Sequence, residues 1–319
     1  MLAAVISILA GLIILTAGAD FLVRGGASVA LRLGVTPLVI GLTIVAFGTG
    51  SPEFVVSIQA ALDGNSGISL GNIVGSNISN VALILGCAAL VRPLKVEAVL
   101  LRKELPTLVV ISALLWLLVY DGSISRFEGG VLLTGGIVYT VFTYVLSRRK
   151  EKKKVEDEYA EAVEKTGKSV WLDILLIVVG LVALVGGAHL LLSGAVSVAR
   201  SFGMSDVVIG LTVIAIGTSL PELATSAVAA YRREPDIAFG NAIGSNIFNI
   251  LAVLGMTALI LPFSTEGIRA FDLGTLVGSA VILYLMMGRR FVLDRTEGAL
   301  LVAGYIVYVY NVLAASAVQ

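Results

Sequence analysis

The chain has 319 residues, 57% of them hydrophobic and 14% charged, with a formal net charge of zero and a mean hydropathy of +0.99. A soluble domain carries about 25% charged residues, so this composition excludes an ordinary soluble globule. The neutral balance leaves no electrostatic footprint for nucleic acid.

The chain opens on MLAAVISILAGLIILTAG. This run has no basic flank and no cleavage site followed by polar sequence, so it reads as a first membrane helix, not a removable signal. Runs long enough to cross about 30 Å of hydrocarbon then recur at 3–31, 36–61, 69–91, 104–120, 127–147, 171–200, 206–231, 237–262, 270–288 and 296–315. The expectation is an all-α membrane protein of ten transmembrane helices. A charged linker, 148–169, separates a first five-helix unit (1–147) from a second (170–319). Cys87, the one cysteine, sits in the apolar run VALILGCAAL and reads as a small buried residue.

Orientation follows from Lys and Arg placement. With the linker in the cytoplasm, that side receives Arg32, Arg92, Lys95, Arg102, Lys103, Arg232, Arg233, Arg289, Arg290 and Arg295, whereas the outer side receives Arg126, Arg200 and Arg269. Both termini are then outside, in a multi-pass protein of the cell membrane whose surroundings are lipid.

The halves repeat at an offset of 169 residues, with 31 identities over the 70 ungapped positions 17–86. LGVTPLVIGLTIVAFGTGSPE (33–53) meets FGMSDVVIGLTVIAIGTSLPE (202–222), and SLGNIVGSNISNVALILG (69–86) meets AFGNAIGSNIFNILAVLG (238–255). An odd number of crossings per copy inverts the second copy, giving inverted-topology repeats. Secondary transporters are built this way, with sites at the midplane on interrupted helices.

Within these repeats Glu53 and Glu222 occupy equivalent mid-span positions. A charge at the bilayer centre costs on the order of 3 kcal/mol, and a bound cation would offset that cost. Each Glu follows Gly and Pro, which favour an unwound segment with freed carbonyls, expected at Ala46 and Ala215. Thr49 and Thr218 lie four residues before each Glu. Helix capping also operates on this reading, with Ser219 and Glu222 as a capping box. Ser76 and Asn80, and equally Ser245 and Asn249, stack at i and i+4 on one face as further oxygen donors. Asn77 and Asn246 read as helix-packing amides. An all-oxygen donor set suits a hard cation such as Ca2+, and one histidine with one cysteine argues against Zn, Cu or Fe. Asp20 and His189 share an aligned position and read as structural, or as proton-handling, groups. An intramembrane enzyme lacks its constellation here, since nothing pairs a Ser with the lone His, and inverted repeats favour a transporter over a channel.

The paired GT-x-x-PE and GN-x-x-GSN-x-x-N motifs, within 41–86 and 210–255, resemble the repeats of the cation/Ca2+ exchanger superfamily, most closely its prokaryotic Na+/Ca2+ exchangers. The resemblance implies a non-enzymatic antiporter, without cofactor and acting as a monomer, that exchanges Na+ for Ca2+ by alternating access. It implies ligands at Glu53, Glu222, Thr49, Thr218, Ser219, Ser76, Asn80, Ser245 and Asn249, with carbonyls of Ala46 and Ala215. The first and sixth helices are expected to slide as a pair against the other eight. Two positions depart from the family pattern: Gly50 stands where Ser is usual, and Asn249 where Asp is usual. A Ca2+/H+ antiporter using the same glutamates is the alternative.

Overall fold

The computed structural model describes residues 2–64, 66–96, 98–150, 170–202, 215–265 and 268–316. In chain order the helices are α1 (Leu2–Leu33), α2 (Pro37–Thr49), α3 (Ser51–Leu62), α4 (Ser66–Val91), α5 (Ala98–Val119), α6 (Arg126–Lys150), α7 (Val170–Ser201), α8 (Ala215–Thr218), α9 (Leu220–Tyr231), α10 (Pro235–Ile260), α11 (Ala270–Arg290) and α12 (Arg295–Ser316). Most of the charged linker, and the first part of the span expected at 206–231, lie outside the described residues.

Seven of these helices are long and apolar enough to cross a membrane, or eight if α2 and α3, bent by 47° at Gly50, form one span. The count falls short of ten for two reasons. α5 carries Arg102, Lys103 and Glu104 within its first two turns, and the run leading into α8 and α9 lies outside the described residues.

Glycine spacing explains how α1 and α7 pack. They run antiparallel, and each carries glycines seven residues apart on the contact face. A Cβ at Gly11 would lie 2.5 Å from Leu191 N, and one at Gly180 would lie 2.7 Å from Leu22 N. Gly18 faces Leu184 N at 2.8 Å, and Gly187 faces Leu15 N at 2.6 Å. Any side chain there would drive the backbones apart, so glycine permits the approach from which membrane helices gain packing energy. Each contact has a counterpart in which both residues are exchanged for their equivalents 169 positions away.

The same exchange relates contacts elsewhere. Strand β1 (Leu94–Lys95) pairs with β4 (Val292–Leu293), and β2 (Ser123–Ile124) pairs with β3 (Phe263–Ser264), both antiparallel. Arg295 donates to the carbonyls of Leu90 and Val91 at the end of α4, and Arg126 donates to Ile260 O at the end of α10. A cation at a helix C-terminus satisfies orphan carbonyls and complements the dipole.

The centre of the fold is α4 and α10. Their most apolar windows are 78% and 72% buried, against 17% for α6 and α12. Both contain a π-helical turn, at Asn80–Ile84 and Asn249–Leu254, and α2 contains a third at Gly41–Val45. Such turns widen the ladder and often mark functional positions; here two of them begin at the predicted donors Asn80 and Asn249.

Candidate functional site

Pro52 and Pro221 stand at the second position of α3 and α9, where a missing N–H costs nothing. The helices therefore start inside the core, and Glu53 and Glu222 fall in their first turns, where the helix dipole favours negative charge. Both side chains are 1% exposed. The expected Ser219 capping box does not form, because neither Gly50 nor Ser219 caps its helix through a side chain. Ser219 Oγ donates instead across the repeat boundary to Glu53 Oε1, at 3.2 Å.

Two asparagines tie neighbouring helices to the backbone of this pair, and four more form a network beside it. Asn72 Nδ2 donates to Glu53 O and Ser57 Oγ. Asn241 Nδ2 makes the equivalent bonds to Glu222 O and Ser226 Oγ, and Asn241 Oδ1 accepts from Thr49 Oγ1 at 2.9 Å. Deeper in, Asn80 Nδ2 donates to Asn246 Oδ1 at 2.9 Å, and Asn249 Nδ2 donates to Asn77 Oδ1 at 3.2 Å and to Ser76 Oγ at 3.1 Å. Asn77 and Asn246, read from sequence as packing residues, thus bond directly to two predicted donors. Only their membership in the repeated GSN triplet hinted at this.

Five predicted donors keep a buried oxygen without a partner: Glu53 Oε2, Glu222 Oε2, Asn80 Oδ1, Asn249 Oδ1 and Ser245 Oγ. Buried hydroxyls elsewhere, at Ser69, Ser112 and Thr225, share that state. Thr49 is fully buried, Ser76 is 6% exposed, and Thr218 is half-buried beside Ser219. Ser76 Oγ is engaged, donating to Ile73 O at 3.2 Å while accepting from Asn249.

The backbone carbonyls behave differently from expectation. Ala46 O accepts the Gly50 N–H at 3.0 Å, so it keeps one lone pair rather than being free. The carbonyl released by Pro52 is Gly48 O, one turn before it, and Ser51 Oγ occupies it at 2.7 Å. Ala215 opens α8, and the residues just before it are outside the described residues.

Gly50, the missing hydroxyl position, sits against the site. A Cβ there would lie 3.7 Å from Glu222 Oε1 and 3.4 Å from Phe248 Cδ1. Phe248 packs edge-on against Phe47, with centroids 5.1 Å apart. Behind this pair lies an apolar groove of about 500 Å3, and a second cavity of about 420 Å3 lies between α1, α7 and Arg232. Neither is lined by Glu53 or Glu222. Among the described residues no three acidic, His or Cys side chains cluster, so the polar centre is two carboxylates among amides and hydroxyls.

Charged groups away from this centre form ion pairs. Asp20 is paired with Arg24 and Arg232, and its repeat equivalent His189 is exposed. Three buried acids are not signalled by the sequence: Asp173 pairs with Arg32 at 2.6 Å, Glu104 with Lys103 at 3.3 Å and Asp272 with Arg269 at 2.8 Å. None has an acidic equivalent in the other half.

An enclosed, symmetric acid pair at the broken helices of a multi-span protein defines a membrane ion transporter, not an enzyme. The chain belongs to the sodium/calcium exchanger protein family, whose sequence profile matches residues 3–145 and 172–314. It is 40% identical over 316 residues to CaxA of Alkalimonas amylolytica, named as a candidate antiporter, covering 97% of this chain and 98% of that one. It is 31% identical over 335 residues to the sodium/calcium exchanger MaX1 of Methanosarcina acetivorans, covering 94% and 96%. A solved structure of the sodium-calcium exchanger NCX_Mj superposes with a TM-score of 0.84 at 33% identity, covering 96% of this chain and 97% of that one.

Proposed function

We propose that the chain is a secondary antiporter that exchanges Ca2+ for Na+ at one site centred on Glu53 and Glu222. The observation that carries this reading is the set of unpartnered buried oxygens on Glu53, Glu222, Asn80, Asn249 and Ser245. Each buried acceptor left without a partner costs about 1–3 kcal/mol. A hard cation bound between the two acids supplies such oxygens with a partner, and Ca2+ takes six to eight oxygens. Thr49, Thr218, Ser219 and Ser76, with the second lone pair of Ala46 O and the carbonyl of Ala215, complete the proposed donor set.

The chain crosses the membrane ten times, as inverted repeats 1–147 and 170–319, with the linker cytoplasmic and both termini outside. The exchange relation between contacts supports this arrangement, as does the pairing of Arg126 and Arg295 with helix ends contributed by opposite halves. The glycine seam makes α1 and α7 one unit, suited to sliding against the remaining helices. The functional unit is one chain in lipid.

Exchange is enforced by charge. Two carboxylates are neutralised by one Ca2+, by several Na+ or by protons, and an empty doubly charged site resists crossing the membrane. Protonation is the second reading, favoured by the presence of two acids where three would be needed to hold more Na+. Reconstituted vesicles separate the two. Ca2+ uptake driven by an imposed Na+ gradient supports Na+ coupling, and uptake driven only by a pH gradient replaces it with H+.

A further inference from the structure

We infer that Asn77 and Asn246 are positioning residues that fix which end of the Asn249 and Asn80 amides meets the transported cation. The inference rests on the site proposed above. An amide offers an oxygen at one end and a hydrogen-bearing nitrogen at the other, on nearly the same shape. Turned one way, Asn80 or Asn249 is a ligand. Turned the other way, it aims positive hydrogens at a cation.

The observed bonds select the first orientation at both positions. Asn80 Nδ2 is held by Asn246 Oδ1, and Asn249 Nδ2 by Asn77 Oδ1 and Ser76 Oγ. In each case the nitrogen is consumed and Oδ1 is left without a partner. The two clamps are repeat equivalents of each other, and Asn246 Nδ2 ties them together by donating to Asn77 O at 3.1 Å. Asn77 is fully buried and Asn246 is 1% exposed, so water does not compete for these bonds. Residues that orient metal ligands in this way often matter as much as the ligands themselves.

An aspartate has two equivalent oxygens and no wrong end, so an aspartate at 249 removes the need for a clamp. The test is a double-mutant cycle on apparent Ca2+ KM and on calorimetric Ca2+ binding, using Asn77→Ala with and without Asn249→Asp. In the parental background Asn77→Ala raises KM and Kd about 10-fold with little change in maximal rate, the usual scale for losing a ligand-orienting partner. In the Asn249→Asp background the same change costs less than about 3-fold, so the cycle is strongly non-additive. Equal penalties in both backgrounds would mean that Asn77 is a packing residue and would overturn the inference. If Asn77→Ala does not fold, Asn246→Ala with and without Asn80→Asp reads the same relation on the other half. Glu53→Gln in the same assay separates the two levels. Ca2+ binding that survives it refutes the site itself, whereas its loss beside an additive cycle refutes only the clamp.

Discussion

Ser219 donates its hydroxyl hydrogen to Glu53 Oε1 at 3.2 Å, so the second half of the chain is bonded directly to the acid of the first. The equivalent bond in the other direction would run from residue 50 to Glu222, and Gly50 has no hydroxyl to make it. Glu53 is thus held by a hydroxyl from the opposite half, at the break before α9, whereas Glu222 has Thr49 as its hydroxyl partner instead.

Restoring that bond gives the first prediction. Gly50 has φ −77°, which any residue adopts, and its Cβ would point to within 3.7 Å of Glu222 Oε1. Ala46 O, at 3.0 Å, has to shift by a few tenths of an ångström. Gly50→Ser then adds one oxygen ligand worth about 1 kcal/mol, a gain of about five-fold in apparent Na+ affinity. Na+-dependent Ca2+ exchange in vesicles measures it, and an unchanged Na+ dependence would count against residue 50 as a ligand position.

Asn249→Asp tests the second departure from the family pattern. Asn249 now donates to Ser76 and Asn77, and an aspartate must accept instead. Both neighbours are able to reverse: Ser76 by turning its hydroxyl away from Ile73 O, and Asn77 by presenting Nδ2, which has no partner at present. The variant is expected to fold and, with a third carboxylate, to depend more steeply on Na+. A Hill coefficient for Na+ equal to that of the parent protein would contradict this.

Neighbouring glycines on α7 provide an internal control for helix packing. A Cβ at Gly187 would lie 2.6 Å from Leu15 N, but one at Gly186 meets nothing within 4 Å. Gly187→Ala is expected to destabilise the protein by about 1–3 kcal/mol, the cost of overpacking, while Gly186→Ala leaves it unchanged or slightly more stable. Thermal unfolding of the purified variants in one detergent compares them. Equal melting temperatures would remove the glycine seam as a constraint on α1 and α7.

Much of this was legible from residues alone. The 169-residue offset aligned Glu53 with Glu222 and the GSN triplets with each other, because Gly, Pro, Glu and Asn do not recur in register by hydrophobicity. Spacing within one helix located Ser76 and Asn80 on a common face. It cannot say which residues of the other half that face meets, so Asn77 and Asn246, which bond to Asn249 and Asn80 across the repeat boundary, look from sequence like packing residues. Pro52 correctly marked a break, but the carbonyl it released was Gly48, and Ser51 closed it locally. Ser219 fitted a capping pattern that the nearby Glu53 carboxylate outcompeted. Glu104, Asp173 and Asp272 do not stand out in the sequence because they lie near span ends, where an acid looks solvated.

The central claim is that Glu53 and Glu222 together bind the transported ion, and neutralising one acid at a time tests it most directly. Glu53→Gln and Glu222→Gln keep the shape and remove the charge. Each is expected to lower Ca2+ exchange in reconstituted vesicles by at least about 100-fold, the loss of roughly 3 kcal/mol of binding, while the protein remains inserted and monodisperse. Exchange within a few-fold of the parent protein in either variant would contradict the account.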